Sequence, residues 1–222
     1  ADSLYSVVGI LSKLQVIADR TVLLGELRGD LVTDNENTEK DLRELINHNV
    51  SDNNVYNNYS DYYAVINNCN YYLAKVDTTV LVSNQMVLLR EKAVVKGVRA
   101  WTYLQLAQIY RSVPFITEPI VSVKDAEKEY PYYDFGQMCD YFIEDLSPYA
   151  DTEMPSYGII NGLDSRSMFF PIRLLLADMY LWKQDYPNAI RNYAEYLYLV
   201  DLGTLNIGSR VSALNPTTND IA

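Results

Sequence analysis

Apolar residues recur three and four apart along most of this chain, and polar loops separate the runs. Leu4, Val7, Val8, Leu11, Leu14 and Ile17 predict a helix over 3–24, with Ser3 as its cap. Gly25-Glu26-Leu27-Arg28-Gly29-Asp30 ends it, and a polar stretch rich in Asn and Asp follows to Asn54. Leu42, Leu45 and Ile46 predict a short helix around Glu39–Asn47 inside that stretch. A second long helix is expected over 55–77, with Tyr59, Tyr63, Ile66, Leu73 and Val76 as its stripe and Asn70 interrupting it. A third covers 84–111, where Ala93, Gly97, Ala100, Trp101, Leu104 and Ala107 share one face and the small residues admit a close neighbour. Pro114 stops it, and Pro119 and Pro131 mark a long connection. A fourth helix, 134–147, carries Met138, Tyr141, Phe142 and Leu146. A loop with Pro155, Gly158 and Gly162 precedes a final pair over 168–183 and 187–200. Pro171 and Pro187 belong in or near first turns. Residues 202–222 show no periodicity and read as loop. Short extended pieces are expected only near Phe115–Thr117 and at the C-terminus. The fold class is all-α.

The last pair carries a repeat. Ala177, Tyr180, Ala189 and Tyr193, with Tyr186 in the turn, fall at the offsets of the tetratricopeptide repeat, where small residues mark the crossing of two helices. Trp101, Ala107 and Tyr110 resemble the first helix of another repeat, whose second helix is 134–147 beyond an inserted loop. Residues 55–77 pair with 84–111 as an earlier unit. The expected architecture is therefore an irregular tetratricopeptide-like array with long loops and pairs at about 55–111, 91–147 and 168–200.

Composition narrows the function. The 222 residues hold 18 basic and 29 acidic side chains, a net charge of −11, so phosphate is repelled and nucleic acid is excluded as a partner. No apolar run approaches the ~20 residues that span a bilayer. No leader is visible, and a chain beginning at Ala1 is expected to be processed or trimmed. Gly is scarce, at 9, and Tyr abundant, at 20. Most of these tyrosines are expected to pack between helices, though an apolar ring with a polar tip also suits a sugar-binding face. Cys69 and Cys139 lie in apolar-periodic segments and read as buried thiols, a single disulfide between them being the alternative.

In order, these segments resemble the SusD/RagB-like glycan-binding proteins of Bacteroidetes. Gly25-Glu26-Leu27-Arg28-Gly29-Asp30 after the first helix carries the resemblance, as do Tyr59, Ile66-Asn67 and Asn70 in the second. Its strongest stretch is Val98-Arg99-Ala100-Trp101-Thr102-Tyr103-Leu104-Gln105-Leu106-Ala107-Gln108-Ile109-Tyr110, followed by Val113-Pro114-Phe115 and Thr117-Glu118-Pro119. Tyr133-Asp134, Asp145-Leu146 and the final repeat also match. Members commonly end the third helix with Tyr-Gly before a Val-Pro turn; here Arg111 and Ser112 hold the Gly position. The resemblance runs from about Leu4 to Val200 and matches the N-terminal half of a typical member, so 1–222 is expected to be one SusD-like N-terminal helical domain.

The resemblance implies a non-catalytic, cofactor-free lipoprotein on the outer face of the outer membrane. Such a protein binds oligosaccharides and delivers them to a SusC-like TonB-dependent transporter. It touches the membrane only through a lipid anchor absent from this chain. The polar loop 47–59 holds the mixture that sugar recognition needs, rings for pyranose C–H faces and amides for hydroxyls. His48, Asn53, Asn54 and Tyr56 are its candidate ligand-binding residues; related proteins often present a Trp there, and no Trp precedes Trp101. Trp101, on a helix stripe, is expected in the core. Asp34, Glu36 and Glu39 lack the spacing of a calcium loop, and no metal or catalytic residue is expected. The rival reading is a tetratricopeptide-type interaction scaffold that binds no sugar itself.

Overall fold

A helix buried along most of its length must be surrounded, and α4 (Val87–Tyr110) is such a helix. Ala93, Val94, Val95, Gly97, Val98, Ala100, Tyr103, Leu104, Leu106 and Ala107 are all buried. The computed structural model describes residues 2–29, 32–81, 86–160 and 162–201. Around α4 it packs α1 (Asp2–Glu26), α3 (Ser60–Lys75), α6 (Phe135–Leu146) and α7 (Ile172–Trp182); α8 (Tyr186–Asp201) packs on α7. Two short helices, α2 (Lys40–Ile46) and α5 (Val123–Ala126), lie in the connections. The protein is predominantly helical, as its periodicity requires. At the α4–α7 crossing Gly97 is needed for space: a Cβ there would stand 3.1 Å from Ile172 Cδ1 and 3.6 Å from the Phe170 carbonyl oxygen.

Several boundaries differ from the sequence expectation, each for a local reason. On α1 the inward face is Val7, Ile10, Ile17 and Leu24, while Val8 is exposed. Helix α3 begins at Ser60 rather than 55 because asparagines hold the preceding backbone in turns. The Tyr56 N–H donates to Asn54 Oδ1 at 3.0 Å, and the Ser60 N–H to Asn58 Oδ1 at 2.9 Å. Helix α7 begins at Ile172 rather than 168, because Pro171 constrains the residue before it; Ser165–Met168 form a 3₁₀ turn instead. Helix α5 was not expected, although Ser122 and Asp125 spell a capping box: the Asp125 N–H donates to Ser122 Oγ at 3.2 Å, and the Ser122 N–H to Asp125 Oδ2 at 3.1 Å. Positions 84, 85 and 202–222, including the expected C-terminal extended piece, lie outside the described residues.

Two small antiparallel ribbons join the helices. The first, β1 (Ser112–Pro114) with β2 (Tyr132–Asp134), pairs Val113 with Tyr133. It lies just ahead of the expected extended piece at Phe115–Thr117. The second, β3 (Ile159–Ile160) with β4 (Leu163–Asp164), closes the loop before α7. Between α4 and β1, Arg111 stands at φ 66°, ψ −63°. This is the strained γ-turn region, which a side chain rarely adopts. Arg111→Gly is expected to stabilise the protein by about 1 kcal/mol, raising the thermal midpoint by roughly 2–4 °C in a circular dichroism melt.

The segment after β1 is held to the helices by buried polar groups. Tyr103 Oη donates to the Ile116 carbonyl at 2.9 Å and accepts the Ile116 N–H at 2.8 Å. Asn70 Nδ2 donates to the carbonyls of Ile116 and Glu118 at 2.9 and 3.2 Å. Asn67 makes a reciprocal pair with the Ile120 backbone, at 2.9 and 2.7 Å. Arg99 Nη1 donates to Asn70 Oδ1 at 3.0 Å and its Nη2 to Asp145 Oδ2 at 3.1 Å, while Lys96 pairs with the other Asp145 oxygen. These contacts are why α3, α4, α6 and the ribbon hold one geometry. Glu91, almost fully buried, similarly accepts Tyr72 Oη at 2.7 Å and Tyr157 Oη at 2.8 Å, tying α3, α4 and the loop before α7 together.

Cys69 and Cys139 are both buried and free. Burial pushes their thiols up to about 12 and about 11, so neither is a ready nucleophile.

Candidate functional site

The polar loop between α2 and α3 is built around Glu44. Its Oε2 accepts the Ser51 N–H at 3.0 Å, Ser51 Oγ at 2.7 Å and Asn54 Nδ2 at 2.9 Å. The Asn54 amide, followed by the two Ser51 bonds, holds the Glu44 carboxyl down from its ordinary 4.5 to about 2. These bonds are fully present above pH ~4.5 and are lost as pH falls toward 2, because the depressed value favours the ionised, folded form. The protection factors of amides 51–56, that is, exchange corrected for its own pH dependence, are therefore expected to fall across that acid window while the helical signal persists. Protection factors unchanged through pH 2 would contradict this.

The four sequence-selected residues separate in this frame. Asn54 is buried at 3% exposure. Its Nδ2 serves Glu44 and the Asp41 carbonyl, and its Oδ1 accepts the Tyr56 N–H. It shapes the loop. Tyr56 follows it half-buried, its carbonyl accepting Tyr110 Oη at 3.4 Å. Asn53 is exposed beside them. His48 is exposed at the turn that ends α2, at φ 53°. Contacts thus link Asn54 to Tyr56 and join both to the loop's frame.

Next to Tyr56 lies an aromatic cluster that the periodicity argument assigned to helix packing. Tyr59 meets Tyr63 edge-on at 5.9 Å and Tyr110 at 5.7 Å between ring centres, yet stays 54% exposed. Tyr63 Oη donates to the Pro114 carbonyl at 2.6 Å, which puts β1 and its partner Tyr132, 65% exposed, on the same side. The Tyr63 phenol is pushed well above its ordinary value, first by burial and then by the phenols of Tyr103, Tyr132 and Tyr59. Tyr103 also meets Tyr63 edge-on, at 6.3 Å between ring centres. Tyr56, Tyr59 and Tyr132, with exposed Asn53, Asn57 and Asn58, form a surface of flat rings among amides. A cleft of about 240 Å³ between α3 and Ile116–Ile120 adjoins it at Tyr63.

A larger groove, about 670 Å³, runs between α1 and the loop before α7. Its walls include Val8, Leu11, Val22 and Phe169, and Trp101 stacks on Phe170 at 4.8 Å. Trp101 is thus half-buried, packed against the edge of the core where it also lines the groove. The groove is lined mainly by apolar side chains, with Ser12, Gln15, Thr21, Tyr157 and Ser165 among them, and the tyrosine surface with its exposed asparagines is the better match to a hydroxyl-rich ligand. Among the described residues no cluster of His, Cys, Asp or Glu is disposed to hold a metal ion, and no helix is long and apolar enough to cross a membrane.

No family model matches the sequence, and no curated protein matches it. Solved structures do match its fold. A laminarin-binding SusD-like protein superposes with TM-score 0.67 at 20% identity over 86% of this chain and 42% of its own. A SusD-like protein from Bacteroides fragilis gives 0.66 at 21% identity over 87% and 37%. A SusD superfamily protein from Bacteroides thetaiotaomicron gives 0.62 at 18% identity over 88% and 45%. The chain has the SusD-like fold. It spans less than half the length of each of these SusD-like structures. Tyr59 ends the candidate loop 47–59 but reads as part of a helical stripe, and Tyr132, in a connection, is not singled out. The run Tyr130-Pro131-Tyr132-Tyr133 was the signal that could have drawn attention to the second.

Proposed function

We propose that this chain is the N-terminal helical portion of a non-catalytic, nutrient-binding surface protein, and that residues 1–222 act as one unit. The observation that carries the reading is the exposed tyrosine and asparagine surface on a SusD-like scaffold. Its SusD-like neighbours include proteins described as laminarin binding and as carbohydrate binding, which supports the same ligand class here. Under this reading the site comprises Tyr56, Tyr59 and Tyr132 as ring platforms and Asn53 as an amide, with His48 at its edge and Asn54 shaping the loop. The captured oligosaccharide passes to a SusC-like TonB-dependent transporter. A lipid anchor outside this chain holds the protein on the outer face of the outer membrane.

A second reading, an interaction scaffold without sugar affinity, is favoured by α8. Tyr186, Ile190 and Leu197 on α8 and the nearby Trp182 are more than half exposed, the surface of a protein-docking helix. Calorimetric titration with oligosaccharides separates the two readings. Saturable binding, with dissociation constants expected between about 1 μM and 1 mM, supports the first. Capture of the transporter without heat from any glycan supports the second.

A further inference from the structure

We infer that the tyrosine surface selects uncharged oligosaccharides and rejects glycans bearing uronate or sulfate. This rests on the glycan-binding reading above and adds the charge class of the ligand. The loop and helix start that build the surface, residues 34–61, carry seven acidic side chains (Asp34, Glu36, Glu39, Asp41, Glu44, Asp52, Asp61) and two basic ones (Lys40, Arg43), 2 − 7 = −5. Both cations are engaged. Arg43 Nε pairs with Asp34 at 3.1 Å while its Nη2 donates to the carbonyls of Asn35 and Thr38, and Lys40 pairs with Glu44 at 3.5 Å.

Arg20 approaches from α1, but its Nη1 is held by Asp61 at 2.8 Å and by the Asn58 carbonyl at 3.3 Å. The phenol of Tyr110 is pushed up to about 12, chiefly by burial and the Tyr62 phenol. Arg20 and Arg28 oppose that shift, so their positive field reaches Tyr110, the half-buried member of the cluster. Exposed Tyr59 follows Asn57 and Asn58, amides that bind hydroxyls without regard to charge. An anionic sugar seated on these rings would meet a net negative loop in which Arg20, Lys40 and Arg43 already have carboxylate partners. A neutral sugar loses nothing by the same placement.

The test titrates the purified chain with matched-length neutral oligosaccharides (gluco-, manno-, xylo- and galacto-) and with oligogalacturonate and heparin oligosaccharides, at 50 and 500 mM NaCl. At least one neutral oligosaccharide is expected to bind, with an affinity that changes less than twofold between the two salts. The anionic ones are expected to bind at least tenfold more weakly at 50 mM, with the gap narrowing at 500 mM. Asp52→Lys, a charge reversal at an exposed loop position, is expected to raise the affinity for oligogalacturonate about fivefold at low salt, if it lies ~8 Å from the bound carboxylate, and to leave neutral binding unchanged. Anionic oligosaccharides binding as tightly as neutral ones, or more tightly at low salt, would overturn the charge inference while sparing the glycan reading. No binding by any oligosaccharide would overturn the glycan reading and this inference with it.

Discussion

Arg99→Ala is expected to lower the thermal midpoint by roughly 6–20 °C. The Arg99 side chain is 5% exposed and joins Asn70 of α3 to Asp145 of α6 from α4. Removing it leaves Asp145 with only Lys96 and leaves Asn70 Oδ1 without its donor. Truncating one member of a buried charged network costs about 3–5 kcal/mol, and a chain of this size loses about 2–4 °C per kcal/mol. Arg99→Lys is expected to fall between the two, because an ammonium cannot serve both partners in a fixed plane. A circular dichroism melt reads all three proteins, and a midpoint for Arg99→Ala within 2 °C of the parent would contradict the assigned role.

The second large effect is on ligand affinity. Replacing Tyr59 and Tyr132 together by Ala is expected to weaken oligosaccharide binding about 30- to 100-fold. Each ring supplies about 1–1.5 kcal/mol of apolar contact against a pyranose face, and 1.4 kcal/mol is tenfold in affinity. Tyr59→Phe with Tyr132→Phe keeps the faces and is expected to stay within about threefold. Both rings are more than half exposed, so the fold is expected to survive. Affinity unchanged in the Ala variant, with a melt close to the parent's, would move the ligand off this surface.

The helices were legible because their residues answer to a single periodicity. Met138, Phe142 and Leu146 on α6 read from sequence as the buried stripe they form. What sequence did not reveal depends on partners far away in the chain. Asn70 looks like an interruption of an apolar stripe, but is buried because it feeds the carbonyls of Ile116 and Glu118. Asn54 looks like a ligand amide, but Glu44 and Asp41 claim it from another helix. Trp101 fits a core stripe and packs against the core, but stays half-buried, stacked on Phe170 at the groove. Tyr59 fits the stripe of α3, yet stands exposed because the asparagine turns delay the start of that helix to Ser60.

The location of the ligand is the central claim, and hydrogen exchange with mass spectrometry, with and without saturating oligosaccharide, tests it most directly. Slowed exchange confined to peptides covering 52–60 and 130–134 is the expected result. Slowed exchange at 8–22 and 157–170, the walls of the apolar groove, with none at 52–60, would contradict it.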